Sequence, residues 1–218
     1  MKVILFGATG MVGQGVLREC LRDPAVSEIV CIGRTPTGGH DSKLRDVIHK
    51  DFTDFSAVED DMAGADACFF CLGVSSAGMS EARYTRVTYD FTMAAAYALV
   101  ALNPKMVFIY VSGMGTDSSE QGRTMWARVK GRTENALLRL PFRAFMFRPG
   151  VIRPMHGIRS KTALYRALYV AMGPLLSAWQ KLAPATITTT DQVGRAMIQV
   201  ALKGYRTAIL ETRDINSL

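Results

Sequence analysis

The sequence predicts an α/β fold with a doubly wound parallel sheet. Short apolar or β-branched runs alternate with helical patterns as far as Gly150, the mark of a parallel sheet covered by helices on both faces. A glycine-rich turn, Gly7-Ala8-Thr9-Gly10-Met11-Val12-Gly13, separates the first such run from the first helical pattern. Of the 218 residues 49% are hydrophobic, enough for a full core that needs neither disulfides nor metal.

Strands are expected at Lys2–Phe6, Ile29–Ile32, Val47–His49, Ala67–Leu72, Met106–Ser112 and Ala144–Phe147. Between them, helical spacing covers Met11–Arg22, Ser80–Leu102 and Arg123–Arg139. Ser80 followed by Glu81 suits a helix start, while Asn103-Pro104 and Pro141 suit helix stops. After Gly150 the alternation fades, and a short extended piece precedes a helix opening near Thr190-Asp191. No repeat or linker divides the chain, so one domain is expected over 1–218, with 151–183 as a small cap or lid on the substrate side.

Of the four cysteines, Cys20, Cys31, Cys68 and Cys71, the last two are spaced Cys-x-x-Cys, but no second pair or histidine stands near enough to complete a zinc site. They read as buried small hydrophobes, and no metal is expected. The amino terminus passes directly from Met1-Lys2 into a strand, leaving no room for a signal peptide and suggesting a cytoplasmic protein. A net charge of +7 is spread through the chain rather than clustered, so nucleic-acid binding gains no support. The apolar run between Arg166 and Lys181 is broken by Gly173-Pro174 and is too short to span a bilayer. With its basic flanks, the 153–181 segment could rest on a membrane surface; a lid or core helix pair explains the same residues.

The glycine loop follows a strand and opens a helix. There Gly7, Gly10 and Gly13 allow a pyrophosphate to approach the backbone, and the N–H groups of Thr9, Met11, Val12 and their neighbours meet its charge at the positive end of the helix. This context identifies a Rossmann-type dinucleotide site. At the end of the second strand an NAD-selective site usually carries an acid, but the chain reads Cys31-Ile32-Gly33-Arg34. A guanidinium there can pair with a ribose 2′-phosphate, which favours NADP(H) with NAD(H) as the alternative. Asp51-Phe52 after the third strand and Leu72-Gly73 after the fourth are expected to border the adenine and the ribose.

The glycine loop, Arg34, Cys71-Leu72-Gly73, Val111-Ser112-Gly113, Lys130 and Arg148-Pro149-Gly150 together resemble the atypical short-chain dehydrogenase/reductases, near their Tat-interacting-protein-like and NAD(P)-dependent epimerase-like branches. The resemblance covers nearly the whole chain. It implies that Ser112 matches the family's active-site serine, that Lys130 holds the nicotinamide ribose, and that Pro149, Gly150 and Val151 contact the cofactor. It also implies that Trp126 stands where the family has the tyrosine that exchanges the proton accompanying hydride transfer. Indole donates a hydrogen bond but does not ionise near neutral pH.

Other groups must then supply the proton. Lys130 in a dry pocket is one candidate, and His156, in the loop after the sixth strand, is another. Tyr84, Tyr89 and Tyr110 are further candidates; Tyr110 shares a strand face with Ser112. Trp126, Tyr110 and Arg153 are expected at the substrate pocket. Two functions fit: an NADP(H)-dependent oxidoreductase acting on a small carbonyl, enone or quinone-like molecule, or a non-catalytic NADP(H)-dependent sensor. The helices at 80–102 and 123–139 are apolar enough to pair in a homodimer, although core packing explains the same residues.

Overall fold

A computed structural model describes residues 1–158 and 186–218. Seven parallel strands form the main sheet: β1 (Lys2–Phe6), β2 (Glu28–Gly33), β3 (Leu44–Ile48), β4 (Ala67–Phe70), β5 (Val107–Val111), β6 (Arg143–Arg148) and β9 (Ile209–Glu211). Their order is β3-β2-β1-β4-β5-β6-β9, which reverses direction between β1 and β4. Ligands bind at the carboxyl ends of strands beside such a switch point. A separate parallel pair joins β7 (Val151–Arg153) to β8 (Ile187–Thr189).

The inner strands are buried on both faces, so their side chains divide between two cores. Val3 and Leu5 pack with Ile29, Phe69, Ile109 and Phe147 against α1 (Met11–Arg22) and α6 (Thr190–Lys203). Ile4 and Phe6 pack with Val30, Phe70, Phe108 and Tyr110 beneath α4 (Phe91–Leu102) and α5 (Met125–Leu138). Period-two alternation along each strand produces this split.

The expected helix over Ser80–Leu102 is present as α3 (Glu81–Thr85), a π-helical turn at Arg86–Asp90 and then α4. Ser80 caps it, its hydroxyl accepting from the Arg83 N–H. Periodicity alone does not reveal the π turn. The short α2 (Glu59–Met62), the edge strand β9 and the final α7 (Thr212–Asn216) are too brief to carry a period. The cap expected at 151–183 and the surface segment at 153–181 fall mainly on residues outside those described.

The turn from β1 into α1 is sterically exacting. Gly7 has φ +78°, and a Cβ there would meet the backbone of Cys71 and Leu72 at 2.6–2.7 Å. A Cβ on Gly13 would lie 2.1 Å from the Gly7 carbonyl oxygen. Gly13→Ala is therefore expected to cost about 1–3 kcal/mol through forced backbone displacement. Urea unfolding checks this, and an unchanged midpoint would contradict the packing described.

Candidate functional site

Two cavities flank the glycine loop at the carboxyl edge of the sheet. The first, about 390 Å³, is bordered by Gly7, Thr9, Arg34, Phe52 and Leu72. Its floor comes from the end of β2, and Phe52 closes one side from within a cluster of Phe6, Phe55 and Phe91. Arg34 is exposed and has no ion pair among the described residues. Asp51 does not join the wall: its carboxylate accepts from the Thr53 N–H at 2.9 Å and hydroxyl at 2.6 Å, which hold its pKa below the ordinary value.

An acid that sequence reasoning missed does border this cavity. Asp46 lies on β3 opposite Cys31, and its Oδ2 accepts from both the N–H and hydroxyl of Thr37 at 2.9 Å. Placing the third strand at Val47–His49 left Asp46 outside it. Leu44-Arg45-Asp46-Val47-Ile48 does not alternate in polarity, so no period marks where this strand begins.

The second cavity, about 460 Å³, begins at the first turn of α1 with Gly10, Met11 and Val12. Leu72, shared with the first cavity, and Gly73 continue the wall from β4. Pro149, Gly150 and Val151 close it from the β6–β7 turn, and Ser112, Trp126 and Lys130 stand at the far end. Gly13 packs behind the loop. Trp126 and Lys130 share one face of α5 because they are four residues apart.

Lys130 donates through Nζ to the Ser112 carbonyl. Burial pushes its pKa down to about 8, opposed by the Glu134 carboxylate one turn along the helix. Ser112 itself departs from expectation. It is buried, and its hydroxyl donates to Glu134 Oε1 with the Phe147 carbonyl 3.1 Å away. Glu134, fully buried, also accepts from Arg148, whose Nε lies 3.1 and 3.2 Å from its two oxygens. The hydroxyl is therefore committed behind the wall. The position facing Lys130 is Gly113, where a Cβ would lie 3.9 Å from Nζ. The lysine-to-Glu134 spacing was visible in the sequence; the orientation of the serine was not.

Five further candidates sit elsewhere. Tyr110 is buried in the core beside Phe70, with ring centroids 6.1 Å apart, and burial raises its pKa. His156 lies in a groove with Gln14, Leu17 and Arg18, its Nε2 2.6 Å from Asp191 Oδ2. Arg153 ends β7 opposite Thr189, beyond Val151 and Ile152, which are the β7 residues in the wall. Tyr84 is buried, and Tyr89 lies beneath the Arg132 guanidinium, 4.3 Å from its ring centroid. Among the described residues no cluster of His, Cys, Asp or Glu could hold a metal ion, and no helix is long and apolar enough to cross a membrane.

A family model described as NAD(P)H-binding matches residues 7–138, from the glycine loop to the end of α5. The chain belongs to this NAD(P)H-binding family. Among its relatives, the mitochondrial protein fmp52 of Emericella nidulans is 28% identical over 210 residues, covering 92% of this chain and 87% of that one. Rat HTATIP2 is 29% identical over 154 residues, 69% of this chain and 62% of its own. In fold, the chain is similar to a short-chain dehydrogenase/reductase from Burkholderia thailandensis, with a TM-score of 0.67 at 16% identity, covering 98% of this chain and 92% of that chain. A UDP-N-acetylglucosamine 4-epimerase from Methanobrevibacter ruminantium gives 0.71 at 14% identity, covering 96% and 75%. The chain thus shares the Rossmann-like fold of these structures.

The depressed pKa of Lys130 has a measurable consequence. The folded chain releases this proton near pH 8, whereas an unfolded lysine keeps it to 10.5. Between those values the unfolded state binds more protons, so stability rises with pH. Relative to Lys130→Met, the wild-type chain should gain on the order of 2 kcal/mol from pH 8 to 10.5. Urea unfolding of both chains across that range checks it; parallel pH profiles would contradict it.

Proposed function

We propose that this protein is an NADP(H)-dependent reductase of quinone-like or enone acceptors. The observation that carries the reading is a cofactor cradle whose reactive end, among the described residues, presents no free hydroxyl or carboxyl acid, and whose one ammonium, Lys130, donates to the Ser112 carbonyl beside the ribose it suits. The cradle fits a dinucleotide: Gly7 and Gly13 leave no space for side chains, and the first turn of α1 presents its N–H groups between the two cavities.

A bound NADPH supplies hydride. Lys130 suits the ribose beside it, and Trp126 shapes the acceptor's side of the wall. Neither Trp126 nor Gly113 can give a proton, and the Ser112 hydroxyl is held by Glu134. A simple ketone reduced here would become a strongly basic alkoxide and would need a positioned acid. A quinone or enone instead yields a delocalised anion that can take its proton from water. The site therefore supports acceptors of the second kind.

Arg34 supports NADP(H) over NAD(H), since its exposed guanidinium borders the first cavity without a carboxylate partner among the described residues. Asp46 opposes a 2′-phosphate, but its Oδ2 is engaged by Thr37. Arg34→Ala should weaken NADPH binding tenfold or more, the scale of a lost charge-assisted hydrogen bond, and leave NADH binding nearly unchanged. Titration with both nucleotides checks this; a wild-type preference for NADH would overturn the cofactor choice.

For the reaction, NADPH oxidation should be faster with quinones than with simple ketones by at least about a hundredfold, the lower end of what a positioned acid contributes. Equal rates would refute the reading. The same missing acid also favours a non-catalytic sensor, which predicts tight NADPH binding with no oxidation by any acceptor.

A further inference from the structure

We propose that the second cavity takes an acceptor bearing a hydrocarbon tail, with Val74, Met114 and Val151 forming the tail's landing rim. This rests on the reductase reading and adds the substrate's second half. Large hydrophobic residues are exposed at only eight positions among the described residues, and three of them border this cavity: Val74 at 42%, Met114 at 54% and Val151 at 39%. Such clustering is unusual, since exposed apolar side chains on a soluble surface are normally scattered.

The chemistry of the wall points the same way. Among the described residues its ionisable side chains are Lys130, turned toward the Ser112 carbonyl, and Cys71, whose thiol burial keeps neutral. Among the described residues no carboxylate or guanidinium borders the cavity, so beyond the α1 N–H groups and the lysine assigned to the cofactor it offers no clamp for a charged or sugar-bearing acceptor. The half-buried Trp126 and the adjoining Ile152 extend the apolar lining inward from the rim. A flat, uncharged headgroup with an alkyl or prenyl chain matches that surface, and each methylene removed from water contributes a similar gain.

The test is a series of benzoquinones with unbranched alkyl chains of increasing length, assayed with NADPH. In the wild-type protein kcat/KM should rise by up to about fourfold per methylene over the first few carbons, the equivalent of one buried CH₂. In the double variant V74D/M114D the ratio of long-chain to short-chain kcat/KM should fall toward one. A flat series in the wild type, or the same slope in both proteins, would overturn the tail site while leaving the reductase reading intact.

Absence of NADPH oxidation with every quinone would instead overturn the reductase reading. Binding then decides the tail site: with NADP⁺ present, quenching of Trp126 fluorescence by the same quinones is followed in a Trp179→Phe background. Affinity that increases with chain length and is lost in V74D/M114D supports the site. Affinity independent of chain length refutes it.

Discussion

The constraint on which the site depends is the contact between Gly13 and the Gly7 carbonyl. It presses the first turn of α1 onto the end of β1, while Gly7 is pressed against the backbone of Cys71 and Leu72 beyond β4. Three elements converge there with no room for a side chain. The cofactor cradle is consequently made of backbone, and its shape is determined by packing rather than by rotamers. Leu72 then becomes the partition between the two cavities because it leaves β4 beside this crowded turn.

Much of this was legible because it follows from burial. Strands covered on both faces appear as continuous apolar runs, which is why β1 and α1 have the expected bounds and the inner strands lie near theirs. Elements anchored by other means were not legible. The π turn at Arg86–Asp90 leaves the helical pattern almost undisturbed. β9 is only three residues long and depends on its register with β6. His156 is drawn to Asp191, thirty-five residues away in sequence, a pairing that no local spacing announces.

Ser112 and Tyr110 show where a correct local rule still misplaces a function. Alternation puts them on one face of β5, and they do share one: Tyr110 faces Thr133, while Ser112 bonds to Glu134, its neighbour on α5. That face is covered by the helix rather than open to the cavity. Period two identifies which residues travel together; the helix stacked above determines whether their polar atoms meet substrate or protein.

Glu134 explains why the serine cannot be recovered for catalysis by a small movement. A fully buried carboxylate must have its lone pairs filled, and Arg148 together with the Ser112 hydroxyl fills them. Withdrawing the hydroxyl would leave a buried anion under-coordinated, at a cost comparable to breaking a charged hydrogen bond. Such an ion pair need not add net stability, because desolvation offsets its attraction. Its effect is directional: it ties α5 to β6 behind Lys130 and holds the Ser112 hydroxyl on the protein. The same network that positions the lysine thus claims the serine hydroxyl, so the wall's Ser112 and Trp126 offer no free ionisable acid.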